Sequence, residues 1–412
     1  STPIKSSAAS DVYKRQVLNV FTEEVLKADV AICGDTIVGV GEYEGKEEID
    51  CTGKYLVPGF IDAHMHIESC MAAPGELAKV LAKAGTTTII ADPHEIVNVS
   101  GTKGMDYFLK CAAKLLVNVF FMVPSAVPAT DVETNGCGEF LASDMMKYVD
   151  NARVLGLGET MRFMECCEGE KRMADKLELF AKKHIDGHAP GIRGKEVQAY
   201  RLAGVENDHE CSTAEEVLDK LRAGLHIYVR EGSGAKNLET LIKTMLDAGV
   251  CLDRCAFCTD DKHVEEIRKE GHISTCIRKA IALGVPVAKA YKMGSYQAAE
   301  FYGLKNYGAI GAGYRADIVF LDDLEQVRPL DVMKDGRILT EEDYAKDYSV
   351  PVPDELLHTV HVGEVTKEKI RLSCDGKTDV IQMNPHQIVT THLVEEVPAE
   401  NGYFKSDGVY NK

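Results

Sequence analysis

Between residues 55 and 261 one pattern recurs: an apolar run of strand length, a polar loop, then a stretch with helical spacing. The runs are "YLVPGFID", "TTTIIAD", "NVFFMVPS", "ARVLGLGE", "HIDGHA", "AGVENDHE", "HIYVREGS" and "AFCTDD". Helices fit between most of them. "PGELAKVLAKAG" places Pro74 near a first turn, spaces Leu77, Val80, Leu81 and Ala84 along one face, and stops at Gly85. "TAEEVLDKLRAG" opens on a capping box of Thr213 and Glu216, aligns Val217, Leu218 and Leu221, and stops at Gly224. "NLETLIKTMLDAG" repeats the scheme with Leu238, Leu241, Ile242, Met245 and Gly249. Eight strand and helix repeats over roughly 220 residues predict an α/β fold, a (β/α)8 TIM barrel, which typically takes ~250. A doubly wound open sheet is the alternative, but no glycine-rich phosphate turn follows the first strand.

Two shorter β-rich stretches flank the repeats. Residues 17–57 alternate apolar and polar positions, with turns at Gly34-Asp35 and Gly53, and residues 305–340 do the same. Neither could bury its apolar face alone, so the two are expected to pair into one small β-sandwich domain built from segments flanking the barrel. The expected division is 17–57 and 305–350 for that domain, 58–304 for the barrel, and 351–412 for the start of a further domain. The opening "STPIKSSAASDVYKRQ", residues 1–16, is polar and unpatterned, and reads as a non-native leader outside the fold.

Composition narrows the partners. Across 412 residues the hydrophobic share is 45% and the charged share 27%, ordinary for a globular chain. A formal net charge of −18 repels a polyanion such as nucleic acid, and a small neutral or cationic substrate is easier to accommodate. The 13 cysteines lack the even spacing of a disulfide scaffold, which favours a reducing cytoplasm. Cys166-Cys167 and the Cys251–Cys258 cluster lack paired C-x-x-C knuckles, so thiolate metal ligation is not expected. No apolar stretch approaches the ~18 residues of a membrane span.

In a barrel of this kind, chemistry collects where the strands end. The strand ends carry His64 and His66; Asp92, His94 and Glu95; Ser125; Glu159; His188; His209; Arg230 and Glu231; and Asp260 and Asp261. In "GFIDAHMHIES", His64 and His66 are spaced to face one side of a strand. An H-x-H pair alone is common, and two ligands cannot hold a catalytic metal. His64, His66, Glu159, His188, His209 and Asp260 together supply four imidazoles and two carboxylates, a set suited to two divalent cations of the Zn, Fe, Mn or Co type. Such a site generates hydroxide at neutral pH, so the expected chemistry is hydrolysis. His184 and His263 are expected beside the site or on the surface, and His272, His358, His361, His386 and His392 in solvent.

The ordered motifs "IDAHMHIES", "ADPHEIVNV", "PSAVPAT", "LGLGE", "DGHAPG", "DHE", "REGS" and "CTDD", with the flanking "GAIGAGYRADIVFLD", resemble the amidohydrolase superfamily and, within it, the adenine deaminases of bacterial and archaeal type. The resemblance runs from about residue 17 to the end. It implies that His64, His66 and Asp260 hold one metal and His188 and His209 the other, with Glu159 bridging. Two Mn2+ or Fe2+ ions are implied, with Zn2+ able to substitute. "LGLGE" offers no lysine for the carboxylated bridge of hydantoinase-like relatives, which argues against a cyclic-amide hydrolase. The implied reaction takes adenine and water to hypoxanthine and ammonia, with metal-bound hydroxide attacking C6 and Asp260 shuttling protons. His94 and Glu95 would orient the purine or relay protons, or would brace the ligands. Arg230, Glu231, Ser69 and Ser125 are secondary candidates.

Adenine deaminases of this kind continue into a further domain, which in the family carries a histidine-rich segment near the active site. The chain is therefore expected to be truncated within residues 351–412. Alternatives are another aminopurine deaminase, an N-acetyl-sugar-phosphate deacetylase, or an inactive metal-binding fragment. The expected surroundings are a homodimer in the cytoplasm, with no nucleic acid or membrane partner.

Overall fold

The computed structural model describes residues 2–4, 16–374 and 376–408. Eight strands form its centre: β1 Phe60–Met65, β2 Thr86–Ala91, β3 Asn118–Val123, β4 Val154–Thr160, β5 His184–Gly187, β6 Asn207–Asp208, β7 His226–Arg230 and β8 Cys255–Cys258. β1 to β5 pair in order as one parallel sheet, and β6 to β8 as another. Asp260 closes one seam: its N–H donates to the His64 carbonyl at 3.0 Å, and its carbonyl accepts from the His66 N–H at 3.2 Å. At the other seam, Glu206 N–H donates to the Ile185 carbonyl at 3.0 Å and Gly187 N–H to Asn207 Oδ1 at 3.0 Å. The result is the expected (β/α)8 TIM barrel.

The helices follow the capping and periodicity signals. Pro74–Lys83 starts on its proline; Ala214–Arg222 starts on the Thr213 and Glu216 capping box. Leu238–Asp247 buries Leu238, Leu241, Ile242 and Met245 completely. Each such side chain contributes about 1.5–3 kcal/mol relative to exposure, which holds the helix against the barrel.

Two elements depart from the pattern. The run "YLVPGFID" is not one strand: Tyr55–Pro58 pairs antiparallel with Ile318–Leu321 outside the barrel, and after Gly59 the chain enters β1. Any side chain at position 59 would run into Thr87. The run "AGVENDHE" yields only the two residues of β6, because its polar residues turn to side-chain bonding at the barrel mouth.

The flanking segments meet as expected. Six strands lie in the spatial order Arg337–Ile338, Pro329–Lys334, Ile318–Leu321, Tyr55–Pro58, Gln16–Asn19, Glu24–Leu26. A second sheet holds Thr2–Ile4, Asp29–Cys33 and Thr36–Gly41. Val17, Leu56, Ile318 and Phe320 of the first share a core with Val30, Ile32 and Ile37 of the second, making a small β-sandwich. Of the residues read as a leader, Thr2–Ile4 pair with Asp29–Cys33 and Gln16 opens a strand, while 1 and 5–15 lie outside the described residues.

His272 corrects the sequence reading. Expected in solvent, it is fully buried, with Nδ1 2.9 Å from Thr86 Oγ1 and Nε2 3.1 Å from both Thr259 Oγ1 and Asp62 Oδ2. It ties β1 and β2 to the end of β8. His358, His361, His386 and His392 are exposed.

Candidate metal centre and its family

All six expected ligands converge at one mouth of the barrel. Glu159, at the end of β4, lies in the middle with each oxygen facing imidazole nitrogens. Its Oε1 is 3.0 Å from His64 Nε2 and 2.9 Å from His66 Nε2. Its Oε2 is 2.5 Å from His188 Nδ1 and 3.6 Å from His209 Nε2. One carboxylate thus faces two imidazole pairs, one with each oxygen. Asp260 adds Oδ1 at 3.1 Å from His66 Nε2.

Local sequence explains the aim of each group. The i, i+2 spacing brings His64 Nε2 and His66 Nε2 to 3.2 Å, and the His66 Nδ1 bond to the Asp92 carbonyl, 2.8 Å, leaves Nε2 facing the centre. Asp92 Oδ2 also accepts from the Glu159 N–H at 2.8 Å. That approach requires glycine at 158, because a Cβ there would collide with the Asp92 carboxylate. "LGLGE" is therefore a spacing device as well as a strand. Asp208 supports the other pair. It accepts from the N–H groups of Ala189 (2.9 Å) and Glu210 (2.8 Å), while Lys220 Nζ bonds its Oδ1 at 2.9 Å and the Ala189 carbonyl at 2.7 Å. His188 and His209 are thus held by one buried ion pair.

The electrostatics suit a cation site. Burial opposes the charge of Glu159, yet His64, His66 and His188 outweigh it and hold the carboxyl well below its usual range. Burial likewise opposes ionisation of Asp260, and the His66 bond and the nearby Arg230 overcome it. Both ring nitrogens of His209, almost wholly buried, lack a hydrogen bond, as does Oε1 of Glu159. Buried polar atoms left so cost about 1–3 kcal/mol each, and a bound divalent cation removes that cost. Imidazole and carboxylate donors fit such an ion, and the groupings His64, His66, Glu159 and Glu159, His188, His209 each bring their ligand atoms within 4.8 Å.

His94 and Glu95 open the helix His94–Ser100 at the rim. His94 Nδ1 is 3.6 Å from Glu159 Oε1, and Glu95 Oε2 is 3.6 Å from His66 Nδ1. Burial, then the neighbouring His66, push His94 down to about 3; burial raises Glu95 to about 9. Ser69 Oγ donates to the His66 carbonyl at 3.0 Å and Ser125 Oγ to the Glu159 carbonyl, so both brace backbone. Glu231 turns to Lys279 Nζ at 2.6 Å. Arg230 is buried between Glu210 and Asp260, donating to both carboxylates. Sequence reasoning passed over Glu210, although it directly follows a candidate ligand in "NDHE", and Lys220, whose helix position looks solvated.

Residues 55–339 match the model of the amidohydrolase family. The chain is 45% identical over 398 residues to the adenine deaminase of Desulfitobacterium hafniense, covering 96% of this chain and 69% of that protein. It is 43% identical to adenine deaminase 2 of Carboxydothermus hydrogenoformans, covering 95% and 68%. Among solved structures, atrazine chlorohydrolase TrzN from Arthrobacter aurescens TC1, complexed with zinc, shares the fold with a TM-score of 0.59 at 16% identity over 83% of this chain and 96% of that one. The beta-aspartyl dipeptidase of Fervidobacterium islandicum AW-1 gives 0.59 at 18% identity, over 84% and 98%. With that similarity extending over the barrel, the sandwich and the converged ligands, the chain belongs to the adenine deaminases of the amidohydrolase family.

Proposed function

We propose that this chain hydrolyses adenine to hypoxanthine and ammonia, using two divalent ions. His64, His66 and Asp260 would hold one ion and His188 and His209 the other, with Glu159 between them. The observation that carries the reading is the Glu159 carboxylate, turned with one oxygen to each imidazole pair. When bound, divalent ions supply Lewis acidity and bring the pKa of water near neutrality. Manganese or iron is the proposed metal, with zinc able to substitute, since an imidazole and carboxylate set accepts all three.

The chain's own residues then have separable tasks. Asp260 takes a proton from the attacking water and passes it towards the departing C6 amine, so one C–O bond forms as one C–N bond breaks. Its Oδ2 is fixed by Arg230 Nη1 at 2.7 Å, which limits its swing during transfer. Glu95, kept protonated by burial, orients the purine or delivers a proton to a ring nitrogen, with His94 beside it. A sugar-phosphate substrate is disfavoured because Arg230 is already committed to two carboxylates. Homodimerisation is proposed on family resemblance alone. Cytoplasmic residence rests on 13 cysteines without a disulfide. No described helix is long and apolar enough to cross a membrane.

The test is ammonia release from adenine by protein loaded anaerobically with Mn(II) or Fe(II), beside Glu159→Gln. Adenine-dependent release that vanishes in the variant is expected. Absence of release despite about two bound metal equivalents would overturn the reading for this chain and favour another aminopurine or an inactive fragment.

A further inference from the structure

Beyond the barrel, the strands Lys377–Gln382 and Thr391–Glu396 form a hairpin whose connecting loop reaches back to the mouth. Its loop is shaped internally by Asn384 Nδ2, which donates to the Val389 carbonyl at 2.8 Å and to Thr391 Oγ1 at 3.2 Å. It is docked externally by the Lys236 N–H, which donates to the His386 carbonyl at 3.1 Å. Between loop and barrel lies a cavity of about 440 Å³, with Asp260, Asp261 and Arg230 on one side and Met383, Gln387 and Ile388 on the other. That volume lies in the range of small-ligand sites. Met383 and Ile388 keep apolar surface exposed, 77% and 41%, which a flat aromatic ring could cover.

Gln387 is the polar group of this wall whose amide is oriented by a traceable chain. Arg230 Nη1 donates to Asp260 Oδ2 at 2.7 Å, and Arg230 Nη2 donates to Asn237 Oδ1 at 3.0 Å. Asn237 must therefore present its Nδ2, which donates to Gln387 Oε1 at 3.1 Å. With Oε1 used, Gln387 has its Nε2 hydrogens left to donate. A purine ring offers nitrogen acceptors, and its apolar faces suit Met383 and Ile388.

We propose that the Met383–Ile388 loop is a wall of the substrate cavity and that Gln387 reads the purine through a hydrogen bond from Nε2 to a ring nitrogen. This rests on the adenine reading above and assigns specificity within it. Because the same amide chain ends on Asp260, substrate recognition and the proton-carrying carboxylate share one rigid frame. Gln387 is a specificity residue, and Asn237 positions it.

The test compares wild type, Gln387→Ala and Gln387→Glu at equal metal content, using adenine and its 1-, 3- and 7-deaza analogues in equilibrium binding and in turnover. One deaza analogue is expected to bind wild type about tenfold more weakly than adenine, the value of one hydrogen bond. That penalty disappears in Gln387→Ala, whose KM for adenine rises about tenfold while kcat changes by less than about threefold. Gln387→Glu keeps the acceptor for Asn237 but loses the donor, and binds adenine no better than Gln387→Ala. Wild-type discrimination in both variants would overturn the assignment while leaving the deaminase reading intact. Wild type that neither binds nor deaminates adenine would remove both.

Discussion

Arg230 and Asp260 form a buried pair in which the guanidinium takes one carboxylate oxygen at 2.7 Å and leaves the other turned to His66 at 3.1 Å. The same Nη1 also bonds Glu210, so one cation keeps two carboxylates from repelling each other. Arg230→Met removes the cation that the two carboxylates share in a dry site and leaves them only imidazole neighbours. Breaking such a pair costs about 3–5 kcal/mol, so the expected result is a lower midpoint in urea together with a kcat at least tenfold down. Unchanged stability would show that the carboxylates find other partners.

Gly158 sets the approach of Asp92 to Glu159. In Gly158→Ala the new methyl displaces the Asp92 carboxylate, the Glu159 N–H loses its acceptor, and the Glu159 side chain shifts. Bound metal measured by elemental analysis is expected to fall, and kcat with it. A variant with full metal content and wild-type rate would show that β4 absorbs the methyl elsewhere.

The Lys220 and Asp208 pair is fully buried and holds the segments after His188 and around His209. Either single change, Lys220→Met or Asp208→Asn, strands one partner and should cost about 3–5 kcal/mol. The double variant should lose less than the sum, by about 1–3 kcal/mol, in urea unfolding. Strict additivity would deny the coupling.

His226 opens β7 at the end of the barrel opposite the metal centre. Burial, and then the charge of Arg254, push its pKa from 6.5 down to about 4. The unfolded chain therefore binds a proton near pH 6.5 that the folded chain refuses until about pH 4, so this residue makes stability fall as pH falls through that window. His226→Gln should flatten the melting temperature between those values, without moving it at pH 8. An unaltered slope would place acid sensitivity in other groups.

The convergence of the six candidate ligands was legible because barrel strands end at one mouth, so residues far apart in sequence could be assigned to one place from strand position alone. The same logic found His94, Glu95 and Arg230. It could not find His272 or Lys220. A lone histidine opening a helix, or a lysine between Val217 and Leu221, looks the same in sequence whether it meets water or a buried carboxylate. Only the partner from another strand, Asp62 or Asp208, distinguishes the cases. The two-residue β6 was equally hidden, since its polar residues bond through side chains that periodicity does not register.

Gly59 is all that separates the sandwich strand Tyr55–Pro58 from the barrel strand that aims His64 and His66. The outer sheet therefore anchors one end of a continuous rod whose other end, held by β2 and Asp260, carries two candidate metal ligands. From Val57 to His64 that rod runs seven residues, at most about 3.3–3.6 Å each. A slip of one residue in its pairing with Ile318–Leu321 would advance the histidines by one step and turn them away from Glu159. The β-sandwich, remote from the candidate metal centre, thus shares with β2 and Asp260 the setting of that centre's register.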